Sequence, residues 1–123
     1  MNAPKIEERV FLLPDEDKVI ETEDTKIEGA TNFTFIKEDH TIGNPIRVQL
    51  LRYPDVLFAG YRLPHPLETK LTLKIQTKSD TNPHVVLMDA LRDLKNEFSD
   101  LDKAFESAVT VFKEKSNAGA MDY

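Results

Sequence analysis

Residues 82–112 read NPHVVLMDALRDLKNEFSDLDKAFESAVTVF, and their period decides the fold. Asn82 is a residue type that caps helix N-termini, and Pro83 suits a first helical position, where its missing N–H is not needed. Leu87, Leu91, Leu94, Phe98, Leu101, Phe105, Ala108 and Phe112 then recur at alternating intervals of four and three, an apolar seam held for more than three heptads. Asp89, Arg92, Asp93, Lys95, Glu97, Asp100, Asp102, Lys103 and Glu106 lie between them and face water. A helix from Pro83 to about Lys113 would be on the order of 45 Å long, against a radius of gyration of about 14 Å for a compact domain of this size. The spacing therefore predicts a helix that overhangs its own sheet. Leaving half the seam wet would forgo roughly 6 to 12 kcal/mol, comparable to the whole stability of a domain, so a second chain is the simplest cover. The alternative is a helix that bends, or ends near Phe105, and packs wholly on its own strands.

Upstream, Leu71, Leu73, Ile75 and Thr77 alternate with Thr72, Lys74 and Gln76, as in a half-exposed strand. Val56 to Leu63 is apolar on both faces, as a central strand would be. Pro64 to Glu68 suits the hairpin connection between the two. Ile42, Ile46, Leu50 and Tyr53 share a helical face that Pro54-Asp55 ends. Thr31 to Lys37 is a strand with Phe33 and Phe35 on one face and Thr34 and Ile36 on the other. Within the acidic stretch Asp15, Glu16, Asp17, Glu21, Glu23, Asp24 and Glu28, Lys18 to Ile20 reads as an edge strand or a loop. Val10 to Leu13 is a short apolar patch closed by Pro14. The expectation is one α+β domain over residues 1–115, followed by a flexible tail over 116–123 in which Asn117-Ala118-Gly119-Ala120 has little to bury.

Composition limits the functions. The 123 residues are 40% apolar and 31% charged, which fits a globular chain. Absence of cysteine excludes disulfides, thiolate metal sites and a cysteine nucleophile, and favours a reducing compartment. Neither the apolar core of a signal peptide in Met1 to Arg9 nor a run of about 20 apolar residues is present, so no membrane role is expected. A net charge of −6 opposes direct grip on a phosphate backbone. Lys70, Lys74 and Lys78 share a strand face without aromatic residues for base stacking, which reads as a solvated face or a contact with an acidic neighbour.

Glu38-Asp39-His40-Thr41-Ile42-Gly43-Asn44, followed after eleven intervening residues by Val56-Leu57-Phe58-Ala59-Gly60-Tyr61 and then His65-Pro66, closely resembles the signature of the small α-like subunits of archaeal and eukaryotic RNA polymerases. That family in turn resembles the dimerisation domain of the bacterial α subunit. The order strand, helix, strand, strand, long helix agrees over Thr31 to Lys113. Met1-Asn2-Ala3-Pro4 and Phe11-Leu12-Leu13 are more similar to the polymerase II member than to the one shared by polymerases I and III.

The resemblance implies a four-stranded antiparallel sheet backed by two helices, the C-terminal one long. It implies pairing with the larger α-like subunit, through Ile42, Ile46 and Leu50 of the first helix and Leu87, Leu91, Leu94, Phe98, Leu101 and Phe105 of the second. Asp39, His40, Thr41, Gly43, Asn44, Phe58, Tyr61, His65 and Pro66 are the motif positions. A noncatalytic assembly platform is implied, without cofactor or metal, in contact with the second-largest and small zinc-binding subunits and located in the nucleus. No sequence-specific nucleic-acid contact is implied.

Physically, Thr41 can cap the first helix, and Gly43 permits close backbone approach. Pro45 departs from the family pattern and either distorts the first turn or moves the start to Asn44 as cap. Asp39, His40 and His65 could form an acid–base dyad or metal site, but no zinc-type spacing accompanies them; hydrogen bonding of His40 and His65 to turn backbones is the favoured reading. A homodimeric α+β enzyme or binding domain is the other functional class compatible with the seam.

Overall fold

The computed structural model describes residues 5–121. In chain order the elements are α1 (Ile6–Val10), β1 (Val19–Glu23), β2 (Ala30–Ile36), α2 (His40–Leu50), β3 (Val56–Arg62), β4 (Lys70–Thr77) and α3 (Pro83–Met121). The strands form one antiparallel sheet in the order β1-β2-β4-β3.

Strand β4 organises the core because its alternation is unbroken: Leu71, Leu73, Ile75 and Thr77 are buried while Thr72, Lys74 and Gln76 are half-exposed. Register carries this face sideways. Phe35, Phe33 and Thr31 of β2 sit opposite Leu71, Leu73 and Ile75, and Tyr61 and Ala59 of β3 sit opposite Leu73 and Ile75. Ala30 and Ile36 of β2, Gly43, Ile46, Gln49 and Leu50 of α2 and Val86, Leu87 and Ala90 of α3 are buried as well. Each large apolar side chain among them contributes about 1.5–3 kcal/mol of transfer free energy. Lys37, in the left-handed region at φ 61°, turns the chain out of β2, and its N–H donates to the Thr69 carbonyl at 2.7 Å.

Several elements differ from the sequence expectation. β3 is an edge strand, not a central one. Its two apolar faces have different causes, since Ala59 is buried while Leu57 and Phe58 lie exposed on a strand with a register shift between Val56 and Phe58. Such an irregularity blunts an edge against stray pairing. The segment around Lys18 to Ile20 is a true edge strand extending to Glu23, exposed throughout. α1 is a single turn that the sequence reading left without an element.

Helix α2 starts at His40, earlier than its apolar period suggests, because Asp39 and not Thr41 is the cap: the Asp39 carboxylate accepts the Thr41 N–H at 2.9 Å. Pro45 therefore falls inside the helix, and the Asn44 amide oxygen accepts from Arg47 instead of capping. The first backbone bond, Gly43 N–H to Asp39 carbonyl, survives at 3.0 Å. Proline removes only the bond that would reach the carbonyl of Thr41, an exposed residue whose carbonyl water can satisfy. The face period also overran the end, for Tyr53 lies beyond Leu50 in a turn whose N–H donates to the Leu50 carbonyl.

α3 is one helix of 39 residues, about 58 Å at 1.5 Å per residue, and neither ends near Phe105 nor gives way to a tail at Ser116. Ser116 to Met121 continues it: Lys113, Glu114 and Lys115 before it and Ala118, Ala120 and Met121 within it are strong helix formers, against the weaker Ser116, Asn117 and Gly119. Asp122 and Tyr123 of the expected tail, and Met1 to Pro4, lie outside the described residues. The chain divides after Leu91 into two compact units.

Candidate dimerisation surface

The two halves of the spaced motif meet between α2 and β3. A Cβ built on Gly43 would stand 2.4 Å from Leu71 Cδ1 and 2.9 Å from the Tyr61 ring, so only glycine lets α2 approach the sheet this closely. His40 Nδ1 and the Tyr61 hydroxyl are hydrogen-bonded at 2.7 Å, with ring centroids 5.4 Å apart in an edge-on arrangement. This corrects the expectation that His40 bonds a turn backbone. Phe58 folds its ring over Gly60, which has no side chain to obstruct it. The motif thus locks a helix onto a strand.

Asp39, His40, His65 and Pro66 also line one shallow surface depression. Asp39 is committed to its cap: the Thr41 backbone N–H, then its hydroxyl, hold the carboxyl below the usual carboxylate range against the opposing effect of burial. Thr41 therefore donates to Asp39 where its hydroxyl was expected to accept. Among the described residues no group of three or more histidines and carboxylates is placed to hold a metal ion.

The lysines of the open sheet face are matched within the chain. Lys74 pairs with Asp24 at 3.0 Å, Lys70 with Glu68 at 3.7 Å and Lys78 with Asp55 at 3.8 Å. The Lys26 N–H foremost, with the Lys74 ammonium next, pushes Asp24 down to about 2. A face neutralised in this way has no surplus charge for a phosphate backbone.

The apolar periods of the helices serve two purposes. Ile46, Leu50 and Leu87, expected at the interface, are buried in the chain's own core. The reason is that a single period of 3.6 describes any covered face, whoever covers it. Ile42 is exposed, as is Leu91, and Leu94 is half-exposed. Farther along α3, Phe98, Leu101, Phe105 and Phe112 are 60%, 64%, 69% and 72% exposed. A row of large apolar side chains at this spacing has the pattern of a helix-pairing seam. Val48, Leu51, Met88 and Val111 are also exposed on or beside the helices and were missed. They fall out of the alternating four-and-three register, so the periodic signal did not mark them.

A four-stranded antiparallel sheet, a glycine-tightened helix and a long helix with an uncovered apolar row define a pairing module. The model of the RNA polymerase Rpb3/Rpb11 dimerisation domain matches residues 30–104, and the chain belongs to this family. It is 49% identical over 109 residues to a protein of Caenorhabditis elegans named as a probable RNA polymerase II subunit RPB11, covering 89% of this chain and 88% of that one. It is likewise 49% identical to the RNA polymerase II subunit rpb11 of Dictyostelium discoideum, over 89% of this chain and 91% of the other. To the RPAC2 subunit of RNA polymerases I and III of Saccharomyces cerevisiae it is 40% identical, over 66% of this chain and 58% of that one. The crystal structure of RNA polymerase subunit L from Thermoplasma acidophilum shares the fold, with a TM-score of 0.63 at 19% identity over 80% of this chain and 96% of that one.

Proposed function

We propose that this chain is the small α-like subunit of RNA polymerase II, that it carries out no chemistry itself, and that it pairs with the larger α-like subunit to make the platform on which the catalytic subunits assemble for transcription of messenger RNA. The observation that carries the proposal is the row Phe98, Leu101, Phe105 and Phe112, more than half exposed in a chain whose family is a dimerisation domain. Each such side chain, once covered, contributes about 1.5–3 kcal/mol, enough in sum for a lasting pair. The pair's outer surfaces then meet the second-largest and small zinc-binding subunits, and the complex works in the nucleus. Polymerase II is favoured over polymerases I and III because identity and coverage are both higher toward the RPB11 relatives than toward RPAC2.

The engagement of the polar groups supports the noncatalytic reading: Asp39 caps a helix and His40 bonds Tyr61. Expression alone and with the larger α-like subunit tests the pairing. The expected result is a gain in solubility and melting temperature on co-expression and a one-to-one complex. A chain that is monodisperse by itself and gains nothing from that partner would oppose the proposal.

A further inference from the structure

Far from α3 in sequence, a second apolar feature is exposed and lies outside the buried core. After α1 the chain is extended at Phe11, with φ −97° and ψ 133°, and Phe11, Leu12 and Leu13 are 68%, 39% and 58% exposed. Phe11 and Leu13 are the more exposed of the three, and Leu12 between them the less. Pro14 and the turn at Leu13 to Glu16 close the segment: the Glu16 N–H donates to the Leu13 carbonyl and the Leu13 N–H to the Glu16 carboxylate, both at 3.1 Å. Glu7, Glu8, Asp15, Glu16 and Asp17 flank it against Lys5, Arg9 and Lys18, the last of which pairs with Glu38.

Resting on the subunit reading above, we infer that Val10–Leu13 is a second docking element, which inserts Phe11 and Leu13 into an apolar groove rimmed by lysine or arginine on a polymerase subunit other than the larger α-like one. Two large apolar side chains left wet side by side carry the binding energy, since a few such anchors dominate most interfaces. The surplus of carboxylates around them selects the partner. A second copy of this chain would bring like charge against like charge, whereas a basic rim is attracted and correctly aligned.

The test uses polymerase reassembled from full-length subunits with the wild-type chain, the F11A/L13A double variant and the D15K/D17K double variant. Both variants are expected to melt with the wild type and to capture the larger α-like subunit as before, because the altered side chains lie outside the buried core. Incorporation into the whole polymerase is expected to fall at least about tenfold for F11A/L13A, the scale of losing two interface anchors. For D15K/D17K it falls by less, and the deficit shrinks as salt is raised. Undiminished incorporation of F11A/L13A would overturn the inference. So would loss of pairing with the larger α-like subunit by that variant, which would place the segment in the dimer seam, or a wild-type chain that self-associates through Phe11. Normal incorporation of D15K/D17K at every salt concentration would refute the basic rim. If the wild-type chain itself fails to enter polymerase, the subunit reading fails instead.

Discussion

The early turns of α3 and its later turns both carry apolar residues on one side of the helix, yet those residues differ in burial. Val86, Leu87 and Ala90 are buried, whereas Phe98, Leu101 and Phe105 are wet. Periodicity thus states that a helix face is to be covered, and the surrounding chain decides by what. In the first region the cover is the protein's own core. In the second no described part of the chain covers it, so the transfer energy of each exposed aromatic ring is forgone in the free chain and is available to the partner proposed above.

Substitutions in the two regions sharpen the contrast. Leu73→Ala, at a site without solvent exposure, should cost about 2–5 kcal/mol in denaturant unfolding of the chain alone, through lost burial and the cavity left behind. Phe98→Glu should leave that measurement within about 0.5 kcal/mol but abolish capture of the larger α-like subunit, because a carboxylate stranded in a dry seam costs several kcal/mol. If Phe98→Glu unfolded the chain and Leu73→Ala did not, the assignment of the two regions would be reversed.

Smaller effects are expected where α2 locks onto β3. Gly43→Ala places a methyl against Leu71 and the Tyr61 ring and should lower stability by about 1–3 kcal/mol, as overpacking does. Tyr61→Phe removes only the hydrogen bond to His40 and should cost about 1 kcal/mol, with partner capture retained.

The smallest effect is electrostatic. The carboxyl of Asp24 is held at about 2 in the folded chain, below its ordinary value of 3.8. Its contribution is therefore complete above the ordinary value and is lost as pH falls through the folded one. Asp24→Asn should melt below the wild type at neutral pH, and the gap should close as the pH is lowered toward 2. A gap that persists or widens there would mean that Asp24 acts through packing and not charge.

Much of this was legible in the residues. The alternation Leu71, Leu73, Ile75 and Thr77 sets β4, and the spaced motif marks where helix and strand meet. What escaped did so for physical reasons. β1 has charged residues on one face and is exposed on both, so the residues left edge strand and loop both open there and did not show its extension to Glu23. Leu57 and Phe58 made an edge strand look central, because exposed apolar side chains, Phe58 covering a glycine among them, resemble core residues in sequence. Asp39 and Thr41 are both cap formers two positions apart, and only the backbone geometry distinguishes the carboxylate that accepts from the hydroxyl that donates. Ile46, Leu50 and Leu87 were assigned to the seam because the resemblance speaks of paired helices without saying which turns face inward.

Amide hydrogen exchange along α3, with and without the larger α-like subunit, is the most direct test of the uncovered row. Strong new protection from Phe98 to Phe112, with β2 and β4 nearly unchanged, is the predicted result. Equal exchange along that stretch in the free and bound chain, with protection appearing elsewhere, would contradict it.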